Sequence, residues 1–585
     1  SKSFEVPKDF IIEMETFSQE NGLLSSVRKR LGPALRKKYG ENLESIYEEH
    51  AKQKDADLRY LKSGNSKLTT VEKIGKLLEY NLNQDEIDTD RSLNFQELGG
   101  DSLSAVSFSL SIEEVFGVEL PADSILNPVG NAVRWAKEID SLLSGASERP
   151  SFEKIHGKSA KTISARDLDL SKFFNESIVQ FDANSDTPVM NEQVVLMTGA
   201  NGFLGRFVCL DWLKKIAKVD GQLVCIIRAD DDNAARKRLD NIFSGDCADL
   251  EVEYRLLAEK HLRVYCGDVS ESNFGLEPNV YQSLTQEIDR IVHVAAFVNH
   301  RVDYRHMFGP NVVGTAEVVR FALTSRKKPI DFVSSVAVIP YLDVSNGINE
   351  DSPLKDSIEL MDFYAAGYGA SKWAGEQLLQ QAHRDYGLAV NIFRGDMMLT
   401  HQSYKAQINA DDMFTRLLFS VITTGLAPES FYQLLDDGSK AQAHYNGVPV
   451  DVVSSAVVEA GDWYKNGYNN FNIVNYHADD GCSLDTFVDW IEELGYPISR
   501  LDHKTWYERF QQKLESLPED KKQRSSLAIL EAFCIAYPSE GSTFGCDNFK
   551  NLIKKISTGP DLPHLDKVFI EKCISDMKKI GLIEN

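Results

Sequence analysis

The sequence predicts an α/β protein: a parallel sheet wound with helices on both faces, closed by a mainly helical region and preceded by a small all-helical unit. Three observations predict it. From about Val194, apolar strand-like runs (VVLMTG, LVCIIR, LRVYCGD, RIVHVAA, IDFVSSVAVI, VNIFRG) alternate with helical patterns, the mark of parallel strands joined by helical crossovers. Between about Lys67 and Leu143 the apolar positions, among them Val71, Ile74, Leu77 and Leu78, recur at helical spacing. The length, 585 residues, asks for several domains rather than one.

The elements fall in order along the chain. Residues 1–55 hold a short extended stretch, FEVPKDFIIEMETF, and a basic helical segment, VRKRLGPALRKKYGENLESIYEEH. The helical unit covers residues 65–145. Residues 146–190, polar and containing Gly, Ser and Pro, read as a linker. The wound sheet occupies about 191–400, and the helical region without obvious repeat about 400–585.

Composition excludes several function classes. Hydrophobic residues at 42% and aromatics at 10% suffice for sizeable cores. With 64 basic against 88 acidic residues the formal charge is −24, which argues against nucleic acid as a partner. No apolar run approaches the about 18–20 residues that span a bilayer, and SKSFEVPKDF lacks an apolar signal core, so no membrane partner and a cytoplasmic location are expected. The eight cysteines, Cys209 to Cys573, are irregularly spaced without a Cys-x-x-Cys pair. They are expected to be reduced, mostly in cores, with no metal site. A start at Ser1 rather than Met suggests a piece of a longer chain.

VVLMTGANGFLG places Gly199, Gly202 and Gly205, with Asn201, Phe203 and Leu204 between them, after a buried strand and at the opening of a helix. Glycines there let backbone N–H groups close on a pyrophosphate whose charge the helix N-terminus stabilises. The second strand ends in Arg228, where an NAD enzyme usually carries an acid; a cation suits a 2′-phosphate and favours NADPH. Arg238 supplies a second cation or a solvent-exposed salt bridge. After the third strand, Asp268 is placed to accept a hydrogen bond from adenine or simply to turn the chain. Val269, Ala295 and Ala296 complete the expected cofactor contacts.

YGASK sets Tyr368 and Lys372 one helical turn apart on one face. A nearby ammonium lowers a phenol's pKa, which suits Tyr368 to act as an acid. FVSSVAV ends in Ser334 and Ser335, hydroxyls able to hydrogen-bond a developing oxyanion. Further upstream, LGGDSLSAV puts Ser102 after a Gly-Gly-Asp turn at a helix start. That position exposes its hydroxyl to a phosphate-transferring enzyme and favours the phosphate by the helix dipole; the plainer reading is an Asp101 or Ser102 N-cap.

TGANGFLG, VSSVAV, YGASK and GPNVVGT (with Asn311, Gly314 and Thr315) resemble the extended short-chain dehydrogenase/reductase family, a Rossmann-like fold. The resemblance implies Ser335, rather than Ser334, together with Tyr368 as acid and Lys372 as ribose-binding residue. LGGDSLSAV resembles the phosphopantetheine attachment signature of carrier-protein domains, with 4′-phosphopantetheine on Ser102. The order of parts, with VNHRVDYRHMFGPNVVGTAE and FRGDMM, is similar to carboxylic acid reductases, built from adenylation, carrier and reductase domains. Residues 1–55 resemble the end of an adenylation domain's C-terminal subdomain, Lys29 matching its mobile catalytic lysine. Without the adenylation core this chain is expected to be unable to activate a free acid.

The resemblance implies NADPH-dependent reduction of a carrier-bound acyl thioester to an aldehyde, with a phosphopantetheinyl transferase and an adenylation domain as partners. Asp396, in FRGDMM, is either a control on further reduction or a strand-end turn residue. His444 is not assigned to catalysis. The alternatives are a terminal reductase of a peptide synthetase or aminoadipate reductase type and, outside enzymes, an NADP(H)-sensing scaffold.

Overall fold

The computed structural model describes most of residues 66–144, 150–174 and 192–584, with short stretches between 16 and 61. Lys29 and the chain before Thr16 lie outside the described residues. The chain divides into two compact units, Ser1–Glu148 and Arg149–Asn585.

In the first unit, helices α1 (Thr70–Leu82), α2 (Ser102–Phe116) and α3 (Ala132–Leu143) enclose one small core. α1 buries Ile74, Leu77, Leu78 and Leu82, the helical stripe seen in its sequence. The centre is aromatic: the Phe108 ring lies 5.6 Å from Phe95 and 5.7 Å from Trp135. The Trp135 indole N–H is satisfied by the Ser124 carbonyl at 3.0 Å, as burial of an indole requires.

The second unit is built on a seven-stranded parallel sheet. Its labelled strands are β1 (Thr162–Ser164), β2 (Val194–Thr198), β3 (Gln222–Ile227), β4 (Leu262–Cys266), β5 (Arg290–His293), β6 (Ile330–Ser335), β7 (Ser357–Glu359), β8 (Val390–Gly395) and β9 (Tyr468–Ile473). The sheet runs β9-β8-β6-β5-β2-β3-β4, all neighbours parallel. Its central strands are rich in Val and Ile and buried on both faces, as in a sheet covered by helices on each side. Helices α4 (Phe203–Ala217), α5 (Asp232–Phe243), α6 (Ala248–His261), α7 (Gly314–Leu323), α8 (Ala366–Tyr386), α9 (Met413–Thr424) and α10 (Val450–Trp463) follow in chain order. α4 and α10 pack on one face around Phe207, Trp212 and Val457; α7 and α8 pack on the other around Phe321, Trp373 and Leu378. The chain leaves β2 toward β3 and β4 and then crosses back to β5, so the crevice beside the end of β2 is the switch point where such sheets bind ligands. A third core, around Phe414, Trp506, Phe533 and Ile570, forms the helical region.

Two expectations are corrected. Within the expected linker 146–190, residues 150–174 are part of the second unit: β1 pairs antiparallel with β7, and Phe152, Ile155, Ile163, Leu168 and Leu170 are buried against the sheet's helices. Its elements, such as the five-residue helix Phe152–His156 and three-residue β1, are too short to show a period. Nor does the sheet end near residue 400, since β9 pairs with β8 and α10 packs on α4. None of the cysteines is in a disulfide, and all but Cys266 and Cys534 are buried.

Candidate active site

The glycine turn is built as a dinucleotide requires. Gly199 adopts φ +76°, and a Cβ on Gly205 would stand 1.9 Å from the Gly199 carbonyl oxygen, so only glycine lets α4 start so close to β2. Gly202 is the N-cap of α4 and brings no side chain to its first N–H groups. Those donors have no intrahelical partner and offer an anion site. Asn201 and Phe203 are half-buried beside it and Leu204 is buried. Ala295, followed by Ala296, crosses directly behind the turn, its N–H donating to Thr198 Oγ1 at 3.3 Å.

Arg228, just beyond β3, and Arg238, on α5, come together. Arg238 Nη1 donates to the Arg228 carbonyl at 2.9 Å, and its pKa is lowered by burial and by the charge of Arg228. Two adjacent guanidiniums fit a phosphate monoester. Asp268 holds Arg228 Nη1 at 3.8 Å through Oδ2 and uses Oδ1 to accept from the N–H and hydroxyl of Ser270 at 2.9 and 2.7 Å. It therefore turns the chain before Val269 while keeping one oxygen toward the cation. Arg206, immediately after Gly205, was not singled out by the motif. Burial lowers its pKa to about 10; the guanidinium lies 5.0 Å from the Phe203 and Phe207 rings, and Nε has no hydrogen-bond partner.

Tyr368 and Lys372 sit on α8 where it passes under the end of β6. A Cβ on Gly369 would stand 2.1 Å from the Ala337 carbonyl oxygen, so this glycine lets the helix press against the turn after β6. Both side chains are buried. Lys372 Nζ donates to the Val333 carbonyl at 2.7 Å and lies 5.7 Å from the centre of the Tyr368 ring. The expected lowering of the phenol's pKa is corrected: burial raises it, while burial lowers Lys372 to about 7 against the opposing charge of Glu376. Ser335 is half-buried and accepts from the Ala337 N–H at 3.2 Å. Ser334 turns into the interior and donates to Glu376 Oε1 at 2.5 Å. Asn311, in a π-helical turn leading into α7, donates to Ser371 Oγ at 2.9 Å and accepts from the Phe297 N–H at 2.7 Å, tying α8 to the segment after β5. That segment carries His300, whose Nδ1 is 2.8 Å from Tyr364 OH and whose ring is 5.7 Å from that of Tyr368. Gly314 and Thr315 follow in α7.

Asp396 follows β8, accepts from the Met397 N–H at 2.9 Å, and has its pKa raised by burial. The Tyr445 hydroxyl nearby is enclosed without a partner; burial, then the charges of Asp396 and Asp412, raise its pKa. His444 Nε2 is occupied by the Asn475 carbonyl at 2.6 Å. In the first unit Ser102 opens α2, and Asp101 caps it, accepting from the Ser104 N–H at 2.8 Å. The Ser102 side chain lies outside the described residues.

Comparison with known proteins follows this geometry. An NAD-binding family model described as male sterility protein matches residues 197–457, and a phosphopantetheine attachment site model matches 71–138. The carboxylic acid reductase of Segniliparus rugosus is 42% identical over 590 residues, covering 100% of this chain and 49% of its own length. That of Mycobacterium marinum is 38% identical over 594 residues, covering 100% and 50%. The chain thus spans about half the length of these curated relatives. Among solved structures, the reductase domain of a nonribosomal peptide synthetase from Mycobacterium tuberculosis superposes with TM-score 0.67 at 34% identity, over 72% of this chain and 100% of that one. The terminal reductase domain of the myxalamid pathway superposes with TM-score 0.55 at 26% identity, over 71% of this chain and 99% of that one. The chain belongs to the carboxylic acid reductase family, in the portion that joins a phosphopantetheine carrier domain to an NAD(P)-binding reductase domain.

Proposed function

We propose that the chain reduces an acyl thioester, carried on the 4′-phosphopantetheine of Ser102, to an aldehyde with NADPH. The observation that carries this reading is the convergence of Ser335, Tyr368 and Lys372 on the end of β6, two strands from the glycine turn at β2. Ser335 Oγ and Tyr368 OH would hold the thioester carbonyl oxygen. Burial keeps Tyr368 protonated, so its proton is at hand when that oxygen gains charge. Lys372 would hold the ribose hydroxyls, the N-terminus of α4 the pyrophosphate, and Arg228 with Arg238 the 2′-phosphate. When bound, NADPH supplies the hydride to the carbonyl carbon. As the C–S bond breaks, Tyr368 would take back its proton, the aldehyde would leave, and the arm's thiolate would take the one proton the reaction consumes from water to become the thiol. The tether replaces diffusion by a high local concentration of substrate.

The partners of this reading are a phosphopantetheinyl transferase, which would modify Ser102, and an adenylation domain that would load the acyl group. A second reading, a peptide synthetase's terminal reductase, has behind it the 34% identity to a peptide synthetase's reductase domain, against 42% to a carboxylic acid reductase; it predicts turnover of peptidyl rather than simple acyl thioesters. The test is intact mass after incubation with a phosphopantetheinyl transferase and coenzyme A, then NADPH consumption by the acyl-loaded chain. A mass gain on Ser102 and one aldehyde per NADPH are expected. An unchanged mass with Ser102 accessible overturns the carrier assignment, and a loaded chain that consumes no NADPH leaves the sensing scaffold.

Asp396 is proposed to stop reduction at the aldehyde. An Asp396→Gly variant given free aldehyde should then form more alcohol than the parent; equal rates leave Asp396 as a turn residue.

A further inference from the structure

Behind Tyr368 and Lys372 lies a dry, charged cluster that the reaction does not touch. Ser334, Glu376 and Arg394 are 2%, 0% and 1% exposed. Besides Ser334, Glu376 receives Arg394 Nη2 at 2.8 Å on Oε2 and Arg394 Nε at 3.2 Å from both oxygens. Three elements, β6, α8 and β8, thus close on one carboxylate. Glu376 follows Lys372 by one turn on the same face of α8. Carboxylates are kept so far from water only when paired; Arg394 pairs with this one, and Lys372, one turn back on the same helix, feels its charge while its Nζ donates to the Val333 carbonyl.

The titratable groups about Lys372 are Tyr368 and Glu376 on its own helix, His293 from β5, and Arg394 from β8 behind Glu376. Tyr368 stays a neutral phenol, and His293, its pKa pushed down to about 3, a neutral ring. From β6 come the Val333 carbonyl, which accepts from Nζ at 2.7 Å, and the Phe332 ring, 4.7 Å from Nζ. Glu376 is the one anion of this set, and it opposes the burial that would strip Lys372 of its proton.

We propose that Glu376, clamped by Ser334 and Arg394, is a positioning residue that keeps Lys372 an ammonium for the cofactor ribose. Ser334, set aside as the catalytic hydroxyl, then serves the same site from behind. The inference rests on the reading of Lys372 given above.

The test is NADPH binding by the full chain, followed by cofactor fluorescence from pH 6 to 10, with the pH profile of thioester reduction beside it. Binding that needs the ammonium is lost as pH rises through the Lys372 pKa. In Glu376→Gln that loss should move to lower pH by about one unit or more, and in Arg394→Gln to higher pH, with Glu376→Asp restoring the parent curve. Arg394→Gln leaves the Glu376 side chain in place one turn from Lys372, so it decides the matter if Glu376→Gln does not fold. Folded variants whose curves coincide with the parent's overturn the inference. A parent chain that binds no NADPH at any pH overturns the cofactor reading instead.

Discussion

His293 lies between two threonine hydroxyls, Nδ1 2.7 Å from Thr198 Oγ1 and Nε2 3.4 Å from Thr315 Oγ1. One hydroxyl can donate and the other accept only while the ring is neutral. Burial, then the charge of Lys372, holds its pKa at about 3, against about 6.5 for a free imidazole. The folded pKa is the lower one, so this stability is complete above pH 6.5 and is lost as pH falls toward 3, by about 1.4 kcal/mol per unit. A His293→Gln variant should therefore show a shallower fall in thermal midpoint between pH 7 and 5 than the parent. Parallel curves would remove His293 from the acid response. Residues of this kind were not legible in the sequence. Ser335, Tyr368, Lys372 and the three glycines stand in short motifs whose spacing carries their geometry. His293, Glu376 and Arg394 meet partners brought from distant parts of the chain, whereas Arg206 stands beside the glycine motif, against Phe203 and Phe207, in a position the motif leaves unmarked.

At the scale of elements, periodicity found the strands and helices long enough to repeat and missed those that are not. β2, β3, β6 and β8 are buried runs of five or six residues and were read directly. β9, with the sequence YNNFNI, is polar at its start, and its Asn470 and Asn472 side chains donate to the Glu350 and Gly545 carbonyls rather than facing water. Residues 150–174 hide six buried apolar side chains in a polar, Gly-containing background. Their packing makes this segment part of the reductase rather than a tether. Each such side chain contributes about 1.5–3 kcal/mol when fully buried, and the β1–β7 ladder ties the segment to the chain before α8. A reductase unit begun at residue 192 should therefore melt well below one begun at residue 150, or fail to fold. Equal thermal midpoints would show the segment to be merely appended.

For the whole molecule, the net charge of −24 and an anionic cofactor pull against each other. The repulsion is spread over a large surface and is screened beyond about 8 Å at physiological ionic strength. The attraction is local: the N-terminus of α4 and the Arg228–Arg238 pair follow the ends of the neighbouring parallel strands β2 and β3. Charge-assisted hydrogen bonds of this kind are worth about 1.5–3 kcal/mol, equivalent to roughly ten- to a hundredfold in affinity. Arg228 is the member to remove, because Arg238 also braces the β3 terminus through the Arg228 carbonyl. Arg228→Gln should weaken NADPH binding by about that factor while leaving NADH binding nearly unchanged. Added salt should weaken NADPH binding to the parent more than to the variant, since the variant has lost the local attraction that salt screens. Equal losses for both cofactors would move the 2′-phosphate away from Arg228 and leave the acidic field of the molecule without this counterweight.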